Sequence, residues 1–507
     1  MQFLGTVASP VKIHPDLPIH RLQSAGSCVY YAPGHIAVCG TECSPLVDAA
    51  VRGEPSGFRA AAVADALMRA ASGAVQRWRE LAKAPFRPEA LTAHLWSACN
   101  CSCTYCYSRL AAAVPSAQLD LGLLGTAVRL VAESCAGAGR DLTVAFHGGG
   151  EPALDVQRLV AAVSIARREA ERTGVRCVAL VASNGLFPAA AAGRLAQAFE
   201  QITISIDGPP DIQDAQRPLA GGGRSSPLVE RNLRLLADFG ANLAARVTIT
   251  PQTIHRQAGI VQYLSGFPRL RRINLEPVFA GQGNSQPWSL SDAEPFAARF
   301  VEAKALGTRL GCLVATSCVR MEELHGPYCD TLRHTVLLGA AGVVAPCTFR
   351  LDRDAACGKL RRGGDLELDV DQLTAMRRAA AAVPDECADC INALHCARAC
   401  PGNCYLESGR PRTREFRCRV ALLLSVHRIL NSVESAKPEE ADGAVLRDDA
   451  VLGDLSLGPL RRLVDEPEVE VERSGRVSGR LVLRENRLHS EIVPDIGQAA
   501  DDSRSLR

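Results

Sequence analysis

The chain has 507 residues, 47% of them hydrophobic and 22% charged, with a net charge of +2 at pH 7. That length supports more than one domain with a sizeable core, and near-neutrality excludes bulk attraction to nucleic acid or an anionic membrane. No apolar run approaches the roughly 20 residues that span a bilayer, and "MQFLGTVASPVKIHPDLPIH" has charges and prolines where a signal peptide needs an apolar core. The reading is a cytoplasmic protein with no membrane or nucleic-acid partner.

In chain order, residues 1–88 form an N-terminal α+β segment. "CVYYAPGHIAVCG" predicts a hairpin with a proline–glycine turn, and "AAAVADALMRAASGAVQRWRELAK" predicts a helix. Residues 89–310 alternate short apolar runs with longer amphipathic ones. The predicted strands are "LTAHLWS", "LTVAFHG", "CVALVAS", "ITISIDG", "LAARVTIT" and "RRINLEPV". Helices are predicted at "LLGTAVRLVAESCAG", "VQRLVAAVSIARREAERTG", "AAAGRLAQAFEQ" and "LVERNLRLLADFG". Strands alternating with helices imply an α/β fold with a parallel sheet, open or closed into a full or partial barrel. Chemistry in such folds sits at the C-terminal ends of the strands. Residues 311–432 lose the alternation and become cysteine-rich, which predicts a segment held more by bound metal than by a large apolar core. Residues 433–507 read as an acidic, partly disordered tail with one hairpin around "VEVERSGRVSGRLVLRENRL".

The 20 cysteines are not a disulfide framework in a reducing compartment. Cys28, Cys39, Cys43, Cys135 and Cys177 read as small buried hydrophobes. Two dense groups, near 99–106 and 387–418, need another explanation. In "HLWSACNCSCTYCYSR", Cys99, Cys103 and Cys106 have the spacing CX3CX2C directly after the first predicted strand of the barrel. Three thiolates can hold three irons of a cubane cluster and leave the fourth without a protein ligand. Zinc on Cys99, Cys101, Cys103 and Cys106 is the other reading these residues leave open.

Further motifs fall at successive strand ends: "FHGGGEP", "ASNGL" and "SIDGP", with Arg217 following in "DAQRPLAGGGRS". In order and placement these resemble the radical S-adenosylmethionine superfamily, whose fold is a partial (β/α)6 barrel. The resemblance covers residues 89–280. It implies a [4Fe-4S] cluster on Cys99, Cys103 and Cys106, with S-adenosyl-L-methionine chelating the open iron. Reductive cleavage of that cofactor yields a 5′-deoxyadenosyl radical that abstracts hydrogen from a substrate. The same resemblance places Tyr105 near the adenine and the backbone of Gly149, Gly150 and Glu151 at the methionine amino group. It puts Ser205 near the ribose and Arg217 on the cofactor carboxylate, with Asn184 in the third strand-end motif. Cys101 departs from the pattern and is taken as an extra thiol packed behind the loop.

Downstream, Cys329 is followed by "GVVAPC" ending at Cys347, then "CADCINALHCARAC" with Cys387, Cys390, Cys396 and Cys400, then Cys418. This pattern resembles the SPASM extension of enzymes that modify peptides and proteins, and implies two auxiliary iron–sulfur clusters. One takes Cys387, Cys390, Cys396 and Cys418. The other takes Cys329, Cys347 and Cys400, with Cys318 as candidate fourth ligand and Cys312, Cys357 and Cys404 as competitors.

Sulfatase-maturing relatives carry an aspartate after the cysteine of the GX4C pair, and here Thr348 stands there. The resemblance therefore implies a maturase of a ribosomally made precursor peptide, acting by cross-linking, epimerisation or backbone excision. The catalytic acid or base is unassigned. Sulfatase-type maturation, cofactor biosynthesis and a non-catalytic metal-binding scaffold are the alternatives. A flavodoxin- or ferredoxin-type electron donor is the implied redox partner. The N-terminal segment is loosely similar to leader-peptide-binding modules; it docks a leader or simply caps the barrel.

Overall fold

The computed structural model describes residues 9–24, 26–106, 117–279, 287–318, 321, 323–324, 334–345, 357–360, 366–396 and 416–435, with three short strands between 469 and 492. Cys329, Cys347, Cys400, Cys404 and Thr348 lie outside the described residues, as does most of the tail.

Strands β1 (Val11–Lys12), β2 (His20–Ser24), β3 (Ser27–Ala32) and β4 (His35–Gly40) form one antiparallel sheet in sequence order. The predicted hairpin is β3–β4, closed by Pro33 and Gly34, with Gly34 at φ +89° where a side chain would strain. Helices α1 (Ser44–Val51) and α2 (Phe58–Lys83) follow. Leu67 and Ala71 on α2 pack against Tyr30 and Ala32, covering one sheet face. The other face packs elsewhere: Leu22, Val29, Tyr31 and Ile36 share a core with Met321, Ile391, Val426 and Ile429.

All six predicted barrel strands are present: β5 (Ala90–Ala93), β6 (Leu142–Phe146), β7 (Cys177–Ser183), β8 (Gln201–Ser205), β9 (Leu243–Ile249) and β10 (Leu270–Pro277). Each pairs parallel with the next. The crossover helices are α3 (Leu121–Ala138), α4 (Val156–Arg172), α5 (Ala192–Ala198), α6 (Pro210–Gln216), α7 (Ser226–Asp238) and α8 (Gln257–Ser265). The period-2 pattern sorts the faces. On β6, Leu142, Val144 and Phe146 are fully buried toward the helices, while Thr143 and Ala145 face the barrel interior. Among the described residues α3 is the one helix long and apolar enough to cross a membrane. Here it is a crossover helix, capped by Asp120 accepting from Gly122 and Leu123 N–H, with Val128 and Val131 buried in the barrel core.

Among the described residues, the cysteine-rich region carries strands that the sequence did not show. After α9 (Ala293–Arg309), β11 (Leu313–Ala315) adds a parallel strand beside β10. Strand β12 (Thr335–Leu338) pairs parallel with β5, and β13 (Val343–Ala345), β14 (Gly358–Leu360) and β15 (Leu366–Leu368) extend the sheet antiparallel. Helices α10 (Val370–Ala381) and α11 (Phe416–Ser435) complete the region. Val336, Leu338, Val344, Leu373 and Val420 join the barrel's own core. These strands are too short for periodicity to register, so the sequence showed only the cysteines. Among the described residues, this apolar packing joins the region to the barrel.

Candidate cluster and cofactor site

The loop after β5 carries Cys99, Cys101, Cys103 and Cys106 and is anchored on both flanks. On one flank, Gly150 N–H donates to Trp96 O at 2.6 Å and Glu151 N–H to Ala98 O at 2.9 Å. This explains the glycines. A Cβ on Gly150 would lie 1.8 Å from Ala98 O, and one on Gly148, at φ +85°, would lie 2.4 Å from His94 Nε2. The backbone donors of the motif are spent on the cysteine loop, so they do not compete with an incoming amino group, which needs acceptors. On the other flank, Ser102 N–H donates to Pro218 O at 2.8 Å, Thr104 N–H to Gln216 O at 3.0 Å, and Ala220 N–H to Asn100 O at 3.0 Å.

Glu151 is 3% exposed. Its Oε1 accepts from Ala153 N–H and its Oε2 from Asn184 N–H, at 2.8 and 2.7 Å, so the carboxyl bolts the β6 end to the β7 end. Burial raises its pKa, and these hydrogen bonds work against the shift. Asn184 reaches the cluster loop directly: Nδ2 donates to Asn100 Oδ1 at 2.8 Å and lies 3.7 Å from Cys99 Sγ.

Beneath the third thiol lies a charged network that sequence reading missed. Asp207, fully buried, accepts from Tyr105 Oη at 2.5 Å, Gln216 Nε2 at 2.7 Å and Thr248 N–H at 2.8 Å. Arg217 Nε sits 3.0 Å from the same carboxylate, and its guanidinium lies 5.3 Å from the Tyr105 ring centroid. Nη1 of Arg217 is 3.8 Å from Cys103 Sγ. Burial opposes the Arg217 charge, but Asp207 outweighs it and the guanidinium stays protonated. The signal available in the sequence was an aspartate between an apolar strand and a glycine, the "ID" of "SIDGP". Tyr105 and Arg217 are thus brought together on Cys103, and Ser205 stands at the end of β8 on the interior face.

Cys101 packs behind the loop, as expected. Its Sγ lies 3.4 Å from Cys103 Sγ and 3.2 Å from Pro218 O. The Cys101 thiol hydrogen bond, together with Arg217, lowers the Cys103 pKa against the effect of burial, while Cys101 itself is raised. Three thiols on one anchored loop, one facing a guanidinium and one an amide, suit a larger anionic cluster.

In the second cysteine field, Cys390 N–H donates to Cys387 O at 3.0 Å, closing a turn. Burial raises the Cys390 thiol to about 11, with Cys396, Cys387 and Cys418 near enough to add to the shift. Cys318 is buried, with Thr316 Oγ1 at 3.5 Å and Arg417 Nη1 at 4.0 Å from its sulfur. Its competitors Cys312 and Cys357 are packed, like Cys318 itself, in the apolar core. Tyr31 Oη is 2.9 Å from His395 Nε2, linking the N-terminal sheet to the residue before Cys396.

No family model matches the chain, and no curated protein matches it. Among solved structures, polyhistidine-tagged anSMEcpe with bound AdoMet aligns with a TM-score of 0.57 at 18% identity, over 69% of this chain and 96% of that one. Native anSMEcpe with bound AdoMet and Cp18Cys peptide gives 0.54 at 18% identity, over 69% and 99%. SuiB of Streptococcus suis bound to precursor peptide SuiA gives 0.49 at 15% identity, over 72% and 82%. The six parallel strands and the alignment with anSMEcpe agree on the fold: a partial (β/α)6 barrel, shared with that AdoMet-bound structure, with the cysteine loop after its first strand.

Proposed function

We propose that the protein is a radical S-adenosylmethionine maturase that modifies a ribosomally synthesised precursor peptide. The observation that carries this reading is the anchored loop presenting Cys99, Cys103 and Cys106 between the glycine segment and Arg217. Those three thiols would hold a [4Fe-4S] cluster, and with S-adenosyl-L-methionine that site supplies a 5′-deoxyadenosyl radical. The residues' own tasks follow from their contacts. Asp207 fixes Arg217 and Tyr105 beneath the loop, Asn184 steadies Cys99, and Glu151 locks two strand ends so that the glycine carbonyls keep their aim. Ser205 and Arg217 remain candidate cofactor contacts. Two auxiliary clusters would take Cys387, Cys390, Cys396 and Cys418, and Cys318 with Cys329, Cys347 and Cys400. A flavodoxin- or ferredoxin-type protein would supply the electron.

The peptide substrate is supported by the cysteine-rich extension, and by anSMEcpe having been captured with a peptide. Sulfatase-type maturation is the second reading, favoured by that same similarity and opposed by Thr348 in the place of the relatives' aspartate. The test is anaerobic reconstitution, addition of dithionite and S-adenosylmethionine, and mass spectrometry of candidate peptides. Deoxyadenosine release with a mass change on a precursor peptide supports the reading. Conversion of a sulfatase cysteine or serine peptide instead supports the second. No deoxyadenosine from cluster-loaded protein overturns both.

A further inference from the structure

The function inferred for the cysteine loop leaves Cys101 without a task. It stands midway between Cys99 and Cys103 and is 9% exposed. Burial alone does not call for a thiol, since an apolar side chain would fill the same space. The surroundings of this one are polar. The backbone of Cys101 bridges to Leu219, and its sulfur lies 3.2 Å from Pro218 O, 3.6 Å from Arg217 O and 3.4 Å from Cys103 Sγ.

A thiol has one proton to give, and here three acceptors contend for it. Pro218 O already accepts from Ser102 N–H at 2.8 Å. Between two free thiols either sulfur can be the donor. A Cys103 that ligates iron carries no proton, so the bond between the sulfurs then runs one way, from Cys101 to Cys103. The ligand sulfur is also the anionic acceptor of the three, and a hydrogen bond to an ionised acceptor is roughly twice as strong as one to a neutral carbonyl. The Cys101 proton is therefore drawn away from the carbonyls and onto Cys103. Arg217 Nη1 approaches the same sulfur at 3.8 Å, so Cys103 would receive two donors where Cys99 receives the Asn184 amide at 3.7 Å.

We propose that Cys101 acts through Cys103 to raise the reduction potential of a cluster on this loop. An added electron puts more negative charge on the ligand sulfurs, so a donor aimed at one of them stabilises the reduced state more than the oxidised one. Cys101 keeps its proton in this role and binds no iron. The proposal rests on the function inferred above for the loop, and its test reads a potential instead of turnover.

The full chain and its variants Cys101→Val, Cys101→Ala and Cys101→Ser are reconstituted anaerobically, assayed for iron and taken through a redox titration followed by electron paramagnetic resonance. The signal missing from the triple Cys99, Cys103, Cys106 alanine variant identifies the loop cluster. Cys101→Val fills the space with no donor, whereas Cys101→Ser keeps a hydroxyl donor. Cys101→Val and Cys101→Ala should lower the potential of that signal, cutting the reduced-to-oxidised ratio at a fixed potential by about tenfold, which is about 59 mV for a one-electron couple. Cys101→Ser should stay close to the unaltered protein. Equal potentials in all four proteins overturn the proposal. So does an equal fall in all three variants, which marks packing and not a shared proton. Loss of the loop's iron from Cys101→Val and Cys101→Ser would make Cys101 a ligand and overturn it as well. If the triple alanine variant loses neither signal nor iron, the loop holds no cluster, and the function inferred for it has failed separately.

Discussion

Asp207 and Arg217 form an ion pair whose side chains are 0% and 9% exposed, directly beneath the sulfur of Cys103. Breaking a buried pair by removing one partner costs about 3–5 kcal/mol, because the survivor is left charged and dry. Asp207→Ala should therefore destabilise the iron-free protein by that amount in urea titrations, and Arg217→Gln comparably. Arg217→Lys should retain part of the stability yet shift the reduction potential of the loaded cluster, since hydrogen bonds to ligand sulfurs set that potential. An unchanged potential in a redox titration would show that Arg217 does not act on Cys103.

Gly150→Ala is predicted to disrupt the cysteine loop with no loss of a ligand. The new Cβ would have to displace the Ala98 carbonyl, which lies beside Cys99. Iron content should fall by roughly one third if three four-iron clusters are present, and deoxyadenosine release should disappear. Gly137→Ala, where a Cβ meets nothing within 4 Å, is the control.

Cys101 separates the two metals. With a cluster on Cys99, Cys103 and Cys106, Cys101→Ala keeps the iron and loses only the thiol hydrogen bond to Cys103. A four-thiolate zinc site would lose its metal. Elemental analysis after anaerobic purification, on this variant and on the triple Cys99, Cys103, Cys106 alanine variant, decides it.

Acid should destabilise the fold before its carboxylates titrate. Burial depresses His94 to about 3, with His147 nearby adding to the effect, and depresses His20 to about 4. Both are neutral when folded, whereas the unfolded chain protonates near 6.5. The unfolded state thus binds more protons between about pH 6.5 and 4, so stability is full above that window and falls as pH drops through it. Urea midpoints across this range should show the slope, and His94→Leu should flatten it.

The N-terminal segment should prove inseparable from the auxiliary region. Deleting residues 1–85 would strip Leu22, Val29, Tyr31 and Ile36 from their shared core and expose Met321, Ile391, Val426 and Ile429. The truncated protein should lose auxiliary iron. Tyr31→Phe is the milder probe: losing its contact with His395 should cost about 1 kcal/mol. If leader docking also occurs here, edge-strand substitutions on β4 should weaken peptide binding with iron content intact.

The barrel was legible because its strands are long enough for period-2 burial and its helices for a 3.6-residue stripe. Every predicted strand from "LTAHLWS" to "RRINLEPV" lies where its pattern placed it. The candidate cysteine ligands came from spacing, which needs no tertiary information. Asp207 was not legible. A buried aspartate looks like any surface one in a sequence until neighbouring strands fix which face it occupies. Strands β12–β15, at three or four residues each, carry too few alternations to be seen, and their pairing with β5 is set by contacts far away in the chain.

That last pairing orders the protein's birth. Ala90 finds its partner Thr335 some 245 residues downstream, so the first barrel strand keeps a raw edge until most of the chain has left the ribosome. Such long-range closure is slow, and an open edge invites pairing with other chains. Cluster insertion on Cys99, Cys103 and Cys106 is therefore expected to follow chain completion. Fragments ending near residue 310 should aggregate rather than yield a minimal barrel, a concrete consideration for anyone expressing the protein in pieces.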